Sequence, residues 1–192
     1  MQKQTVRETP SQILKEETIT GERVILRPVT FADTERILRW RNDPAVRDRF
    51  VYREELTKTA HETWLLERVE AGYAFQWIIC EKQEADAQEH PVGSVYLRDI
   101  DKEEQTAEYG IFIGEEEAKG KGYGKETARL ILQHAFSALH FKSVGLRVYR
   151  DNEQARKGYL AAGFRDVRIL PAVQSTDGTC ADMIWMEAKP QV

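Results

Sequence analysis

Apolar positions recur along this chain with two periods, every second residue in some stretches and every third or fourth in others, and the switches between them mark its elements. Val24, Leu26 and Pro28 alternate with polar neighbours within Gly21 to Pro28, which predicts a first strand closed by proline. Phe31, Ile37, Leu38 and Trp40 then supply the buried face of a helix behind Thr30, an N-cap residue, with Asp33 and Glu35 in the first turn. Asp43-Pro44 stops that helix near Asn42. A second helix is predicted from about Thr57 to Val69, with Leu65, Leu66 and Val69 facing inward, His61 and Trp64 on a nearby face, and Ala71-Gly72 at its end. Phe75 to Cys80 reads as a short apolar strand and the polar stretch Glu81 to His90 as a loop. Val92 to Leu97 is a further strand, in which Gly93 marks a bulge or a close approach.

After a charged turn from Asp99 to Gln105, the stretch Thr106 to Ile113 alternates, with Ala107, Tyr109, Ile111 and Ile113 on one face and Glu108, Gly110 and Phe112 on the other. A helical stripe follows at Ala128, Ile131, Leu132, Ala135, Phe136 and Leu139. Lys142 to Tyr149 alternates again. Asp151-Asn152 opens a helix carrying Ala155, Tyr159 and Ala162, and Gly163 ends it. Phe164 to Leu170 and Cys180 to Met186 read as two antiparallel strands joined by a loop through Pro171 and Asp177-Gly178. The resulting order, β-α-α-β-β-β-α-β-α-β-β, predicts an α+β fold built on a central sheet.

Between the strand ending at Ile113 and the helical stripe lies a turn containing Gly120, Gly122 and Gly124 together with Lys119, Lys121 and Lys125. A helix start offers unpaired N–H groups and partial positive charge, and glycines admit a phosphate close to them, so this stretch forms an anion cradle. It lacks the Gly-Lys-Ser/Thr ending of a P-loop, and its spacing is not the dinucleotide fingerprint. Glycine turns also occur as plain surface connections, so the motif needs a second signal.

Composition narrows the class. The chain has 192 residues, 41% hydrophobic and 31% charged, which suits one domain over residues 19–190 behind a polar leader at residues 1–18. A net charge of −4 argues against a broad nucleic-acid footprint. No apolar run reaches the length of a membrane span and no signal-peptide core precedes the first strand. Cys80 and Cys180 are the two cysteines, too few for a disulfide framework, so reduced thiols in a cytoplasmic protein are expected. No metal-ligand cluster stands out.

The turn Lys119-Gly120-Lys121-Gly122-Tyr123-Gly124 resembles the diphosphate-binding pattern Arg/Gln-x-x-Gly-x-Gly/Ala of the GNAT superfamily of acetyl-CoA-dependent N-acetyltransferases, departing from it at Lys119. A second element of that family, Asn-x-x-Ala-x-x-x-Tyr-x-x-x-Gly-Phe, is matched by Asn152, Ala155, Tyr159, Gly163 and Phe164. Both lie in order, separated by a strand, and the resemblance covers Gly21 to Ala188. Trp40-Arg41-Asn42-Asp43-Pro44, Val51-Tyr52, Thr59 and His61 further resemble the branch that includes the pseudaminic-acid pathway amino-sugar acetyltransferases. Related stretches occur in ribosomal-protein N-terminal acetyltransferases and in enzymes acting on polyamines or aminoglycosides.

The resemblance implies a central mixed, mostly antiparallel sheet of about six to seven strands flanked by helices. It also implies transfer of acetyl from acetyl-CoA to a primary amine of a small molecule, with an amino sugar, free or nucleotide-linked, as first choice. A protein N-terminus, or CoA sensing without turnover, are the alternatives, and the fold leaves room for a homodimer. Neither nucleic acid nor a membrane is implied as partner.

It makes Lys119 to Lys125 the diphosphate cradle. Ile111, Phe112 and Ile113 become the splayed strand that holds the pantetheine arm, although their side-chain pattern alone reads as ordinary core. Tyr159 becomes the general acid at the sulfur and Asn152 a contact to the CoA arm, where the residues alone read as a stripe tyrosine and a helix N-cap. Glu108, charged amid apolar neighbours, stands evenly as a general base in a cleft or as part of a solvated strand face. His61 is the rival base. Trp40, Arg41, Asn42 and Trp64 either line the acceptor groove or pack the first helices, and Glu115 to Glu117 read as a solvated acidic loop.

Overall fold

Among the described residues eight strands form one sheet in the spatial order β1-β2-β3-β4-β5-β6-β8-β7. The computed structural model describes residues 17–83 and 89–190. Strands β1 (Ile19–Thr20), β2 (Val24–Pro28), β3 (Phe75–Glu81), β4 (His90–Asp101) and β5 (Thr106–Ile113) run as antiparallel neighbours. Strand β6 (Ser143–Tyr149) pairs parallel with β5, then antiparallel with β8 (Cys180–Ala188), which carries β7 (Arg165–Gln174) at the sheet edge. The sheet is thus mixed and mostly antiparallel, as expected, with one strand more than six or seven because Ile19–Thr20 adds a short edge. The leader expected at residues 1–18 falls, up to residue 16, outside the described residues, as does 84–88 of the loop expected between Glu81 and His90.

Helices cover both faces. On one lie α1 (Thr34–Asn42), the short α2 (Pro44–Arg47) and α3 (Lys58–Trp64). On the other lie α4 (Tyr123–Ser137) and α5 (Glu153–Ala162). A strand buried on both faces should read as a continuous apolar run, and β3 does. Trp77 and Ile79 belong to the core under α4 with Ala128, Ile131 and Leu132, whereas Ile78 and Cys80 join Ile37, Trp40, Val46 and Phe112 under α1. Residues Ala107 and Tyr109 face the first core and Phe112 the second, the alternation predicted for β5.

Local chemistry sets the boundaries. Thr30 and Asp33 form a capping box around the 3-10 turn Phe31–Asp33 that leads into α1, and Asp43 caps α2, its carboxylate accepting from Ala45 N at 2.8 Å. Thr57 caps α3 and Asn152 caps α5, each side-chain oxygen accepting from a backbone N–H three residues on. Strand register slips between Ile79 and Cys80 opposite Gly93 and Pro91, so the bulge foreseen at Gly93 is present. Three expectations fail. Phe31, in the 3-10 turn ahead of α1, is 43% exposed rather than on the buried face with Ile37 and Trp40. A π-helical turn, Leu65–Glu70, follows α3 and rotates its later residues, leaving Leu66 exposed rather than inward. Pro171 lies within β7, at a register shift between Leu170 and Val173, and not in the connecting loop. Among the described residues no helix is long and apolar enough to cross a membrane.

Candidate active site

Strands β5 and β6 pair only through Thr106–Ser143, Ala107–Val144 and Glu108–Gly145. Beyond Glu108 they diverge, so the edge of β5 from Tyr109 to Ile113 turns its backbone groups to a cleft instead of to a neighbouring strand. The cleft has a volume of about 500 Å³. One end is walled by the glycine loop and α5, the other by the segment Phe50–Tyr52 and by strand side chains of β4, β5 and β6. Ile111, Phe112 and Ile113 all line it.

The glycine loop ends at Gly122, the N-cap of α4, in the left-handed conformation with φ 85°. The N–H groups of the next three residues have no partner one helical turn back, and α4 is long enough to give this end a partial positive charge. Gly120, Gly122 and Gly124 line the cleft with Lys119 and Lys125. The other two residues expected in the cradle turn their side chains away. Both the Lys121 ammonium, at 3.2 Å, and the Tyr123 hydroxyl bond to the Glu81 carboxylate at the end of β3, and neither lines the cleft. Burial and the Glu81 bond push the Tyr123 phenol up to about 12. Their contribution to a cradle is confined to backbone N–H groups.

Arg23 is a residue sequence reasoning missed. Its guanidinium donates to the Lys121 carbonyl at 2.8 Å and to Glu126 at 2.9 Å, and its backbone N–H donates to the same carboxylate at 2.8 Å. This one side chain ties the loop before β2 to the glycine loop and to the first turn of α4. Its position, some hundred residues upstream in a polar turn, carried no local signal.

Tyr159 of α5 packs edge-on against Tyr109 at 6.1 Å and Phe164 at 5.9 Å between ring centroids. Burial, then the nearby Tyr96, raises its phenol well above the ordinary range, so the hydroxyl stays protonated at neutral pH. The Tyr109 hydroxyl is buried without a hydrogen-bond partner among the described residues, and both tyrosines line the cleft. Asn152 lines it too while its Oδ1 caps α5, accepting from Ala155 N at 3.3 Å, so the two readings of this residue coexist.

Glu108 faces the cleft at the other end, one side-chain oxygen away from saturation. Its Oε1 accepts from Arg98 Nη2 at 2.8 Å and from Arg147 Nε and Nη2 at 3.1 and 2.9 Å. The Glu108 side chain is 15% exposed, held by these two guanidiniums. Arg98 stands directly across from Glu108 in the β4–β5 register, and Arg147 follows Gly145, its β6 partner, by one pleat. The ring of Tyr96 lies against Gly110, at a spot where a Cβ would come within 2.4 Å of the phenol oxygen.

Other residues singled out in the sequence fall elsewhere. His61, the rival base, is buried with Nδ1 3.1 Å from Thr34 Oγ1, and burial lowers its pKa against a small opposing pull from Asp33. It does not line the cleft, and neither do Trp40, Arg41, Asn42 or Trp64. Asn42 exchanges two hydrogen bonds with the Leu56 backbone, Trp64 donates to Gln76, and Trp40 donates to Glu115 at 2.8 Å. Glu115 also takes the Arg39 guanidinium, so this residue is a fixed acceptor and not part of a solvated loop.

The GNAT acetyltransferase domain model matches residues 23–165. An N-acetyltransferase 9-like protein of Caenorhabditis briggsae is 24% identical over 144 residues, 70% of each chain. An uncharacterised protein of Methanocaldococcus jannaschii is 26% identical over 147 residues, 76% of this chain but only 29% of that longer protein. In fold, spermidine N-acetyltransferase from Vibrio cholerae, in complex with CoA and spermine, superposes with a TM-score of 0.79 at 21% identity, covering 88% of this chain and 96% of that one. The family match spans both the diverging strands and the glycine loop, and the chain belongs to the GNAT acetyltransferase family.

Proposed function

We propose that this protein is an N-acetyltransferase that uses acetyl-CoA to acetylate a primary amine of a small molecule, an amino sugar, free or nucleotide-linked, being the first class of acceptor. The observation that carries the reading is the meeting, in one cleft, of an unpaired β5 edge, a left-handed glycine cap at the head of α4, and a protonated phenol, Tyr159.

Acetyl-CoA supplies the acyl group and a thiolate leaving group. The cleft suits it: the cap at Gly122 offers unpaired N–H groups to a diphosphate, with the Lys119 and Lys125 ammoniums beside them. The edge from Tyr109 to Ile113 offers backbone groups to an extended amide-bearing arm and one N–H to a polarised carbonyl. The Asn152 amide adds a contact on the α5 side. Tyr159 donates its proton to the departing sulfur. Glu108 accepts the proton of the amine through Oε2, directly or by way of a water, because Oε1 already takes three N–H bonds. A homodimer is part of the same reading, and the long exposed β7 edge is its support.

The test is release of CoA thiol from acetyl-CoA with a panel of amino sugars, amino-nucleotide sugars, polyamines, aminoglycosides and N-terminal peptides. Acetylation of sugars before peptides or polyamines is expected, and a preference for peptides overturns the acceptor class. Binding of CoA with no transfer to any amine replaces the enzyme with a sensor. Tyr159→Phe should lower kcat by about 100-fold and leave acetyl-CoA affinity unchanged in calorimetry; unaltered turnover removes Tyr159 from the mechanism.

A further inference from the structure

The acceptor end of the cleft is richer in guanidinium than the reaction requires. Arg49, Arg98 and Arg147 line it against a single carboxylate, Glu108. Arg98 and Arg147 both bond to one oxygen of that carboxylate, and their other charged contacts are few: Asp99, itself mostly exposed, lies 3.5 Å from Arg98 Nε. The Arg98 Nε is buried and has no hydrogen-bond partner among the described residues. Among the described residues Arg49 has an ion pair with the exposed Asp151 alone, at 3.8 Å.

Directly behind this wall sits Arg41. Its guanidinium stacks on the Phe50 ring at 3.7 Å and donates to the Tyr52 carbonyl, and its Nη1 is buried without a hydrogen-bond partner among the described residues. Burial lowers its pKa from the ordinary arginine value, with Tyr96 pulling the other way. Arg98 and Arg147 therefore share one carboxylate, and Arg41, which reaches the Tyr52 carbonyl and the Phe50 ring, adds a third guanidinium beside them.

Such an arrangement repels a polycation and an ammonium, since like charges a few ångström apart in a partly dry cleft interact strongly. It favours the neutral amine, the form that attacks a thioester. It also leaves the Nη1 groups of Arg98 and Arg147 outside their bonds to Glu108, donors that suit the oxygens of a phosphate or carboxylate.

Resting on the acetyltransferase reading above, we infer that the amine acceptor carries an anionic group, a phosphate or carboxylate, that docks on Arg98 and Arg147 beside Glu108. Glu108 then holds the two forks in place while their outward N–H groups bind the anion. Polyamines, bound by the Vibrio cholerae structure of similar fold, are excluded as preferred acceptors by the same charge.

The probes are glucosamine, glucosamine 6-phosphate and spermidine, which present a primary amine with no added charge, with an anion and with further cations. Turnover with acetyl-CoA and binding to the CoA-loaded protein by calorimetry are measured in parallel. The phosphorylated sugar should exceed glucosamine in kcat/KM or in affinity by about tenfold, the gap should shrink as salt is raised, and spermidine should rank last. Arg147→Gln should raise KM for glucosamine 6-phosphate by about tenfold while KM for acetyl-CoA stays within about twofold. Arg98→Gln should do the same if the first variant misfolds. Equal handling of the two sugars, or preference for spermidine, overturns the anion site while leaving the transferase intact. Should no amine be acetylated, the transferase reading falls, and the binding ranking alone decides the anion site.

Discussion

Glu108 concentrates the chemistry of the residue scale, because one carboxylate serves two guanidiniums and is asked to take a proton. Three N–H bonds to Oε1 fix its ring of partners, so its remaining oxygen is the one that can face an amine. Glu108→Gln keeps the shape and removes the charge. If Oε2 is the proton acceptor, kcat/KM should fall about 100-fold; unchanged kcat/KM assigns the base to another group. Hydrogen bonds to charged groups contribute about 1.5–3 kcal/mol, and the partial exposure of all three side chains brings the expected loss of stability to about 1–2 kcal/mol. Deeper in the fold the Arg27–Asp33 pair is of another kind. Asp33 is buried, accepts from both Arg27 nitrogens at 2.8 and 2.7 Å, from Arg36 and from Thr30. Removing Arg27 strands most of that charge, so Arg27→Ala should cost about 3 kcal/mol in urea unfolding. A loss below about 1 kcal/mol would mean Arg36 alone satisfies the carboxylate.

At the scale of elements, the strand-to-helix turn before α4 depends on a backbone that few residues adopt. Gly122 has φ 85°, and a Cβ there would lie 3.2 Å from the Arg23 guanidinium. Valine at this point meets both strain and that contact, so Gly122→Val should abolish CoA binding in calorimetry while the circular dichroism spectrum is retained. Retained binding would move the diphosphate elsewhere. Arg23→Ala, which frees the same loop without strain, should weaken CoA by about tenfold. The helix over the Ala128 stripe, the strand Thr106 to Ile113 and the Asn152 cap were legible in the sequence because each rests on local periodicity or a cap. The divergence of β5 from β6 was legible only through family resemblance, since backbone left unpaired has no side-chain signature. What was not legible lies in register and rotation. Leu66 emerges because a π-helical turn changes the phase, Lys121 and Tyr123 turn toward Glu81 on a distant strand, and Arg98 and Arg147 meet Glu108 only when three strands align.

Across the whole molecule, two buried histidines tie opposite layers of the fold to pH. His61 sits on α3 against α1, and His134 on α4 with its ring edge-on to Trp77 at 5.9 Å. Burial lowers both pKa values, against weaker pulls from Asp33 and Glu17 respectively, and Nε2 of each has no hydrogen-bond partner among the described residues. A histidine whose folded pKa lies below its unfolded value of about 6.5 binds more protons in the unfolded chain as pH drops. Stability is therefore complete above about pH 6.5 and declines as pH falls from there toward the folded value. The depressed carboxylates act lower. Asp177 is held at about 2 by its Thr179 bonds and by Arg53, and Asp33 is drawn below its ordinary value by Arg27 and Thr30 despite the opposing cost of burial. Their contributions are present above the ordinary carboxylate range and vanish beneath it. Scanning calorimetry should thus give a melting temperature flat above pH 7, falling through pH 6, and falling again below about pH 4. Because the first decline belongs to imidazoles and the second to carboxylates, His61→Gln with His134→Gln should flatten the former and spare the latter, whatever the variants do to the plateau. A double variant that keeps the slope near pH 6 would locate the pH dependence outside these two helix layers.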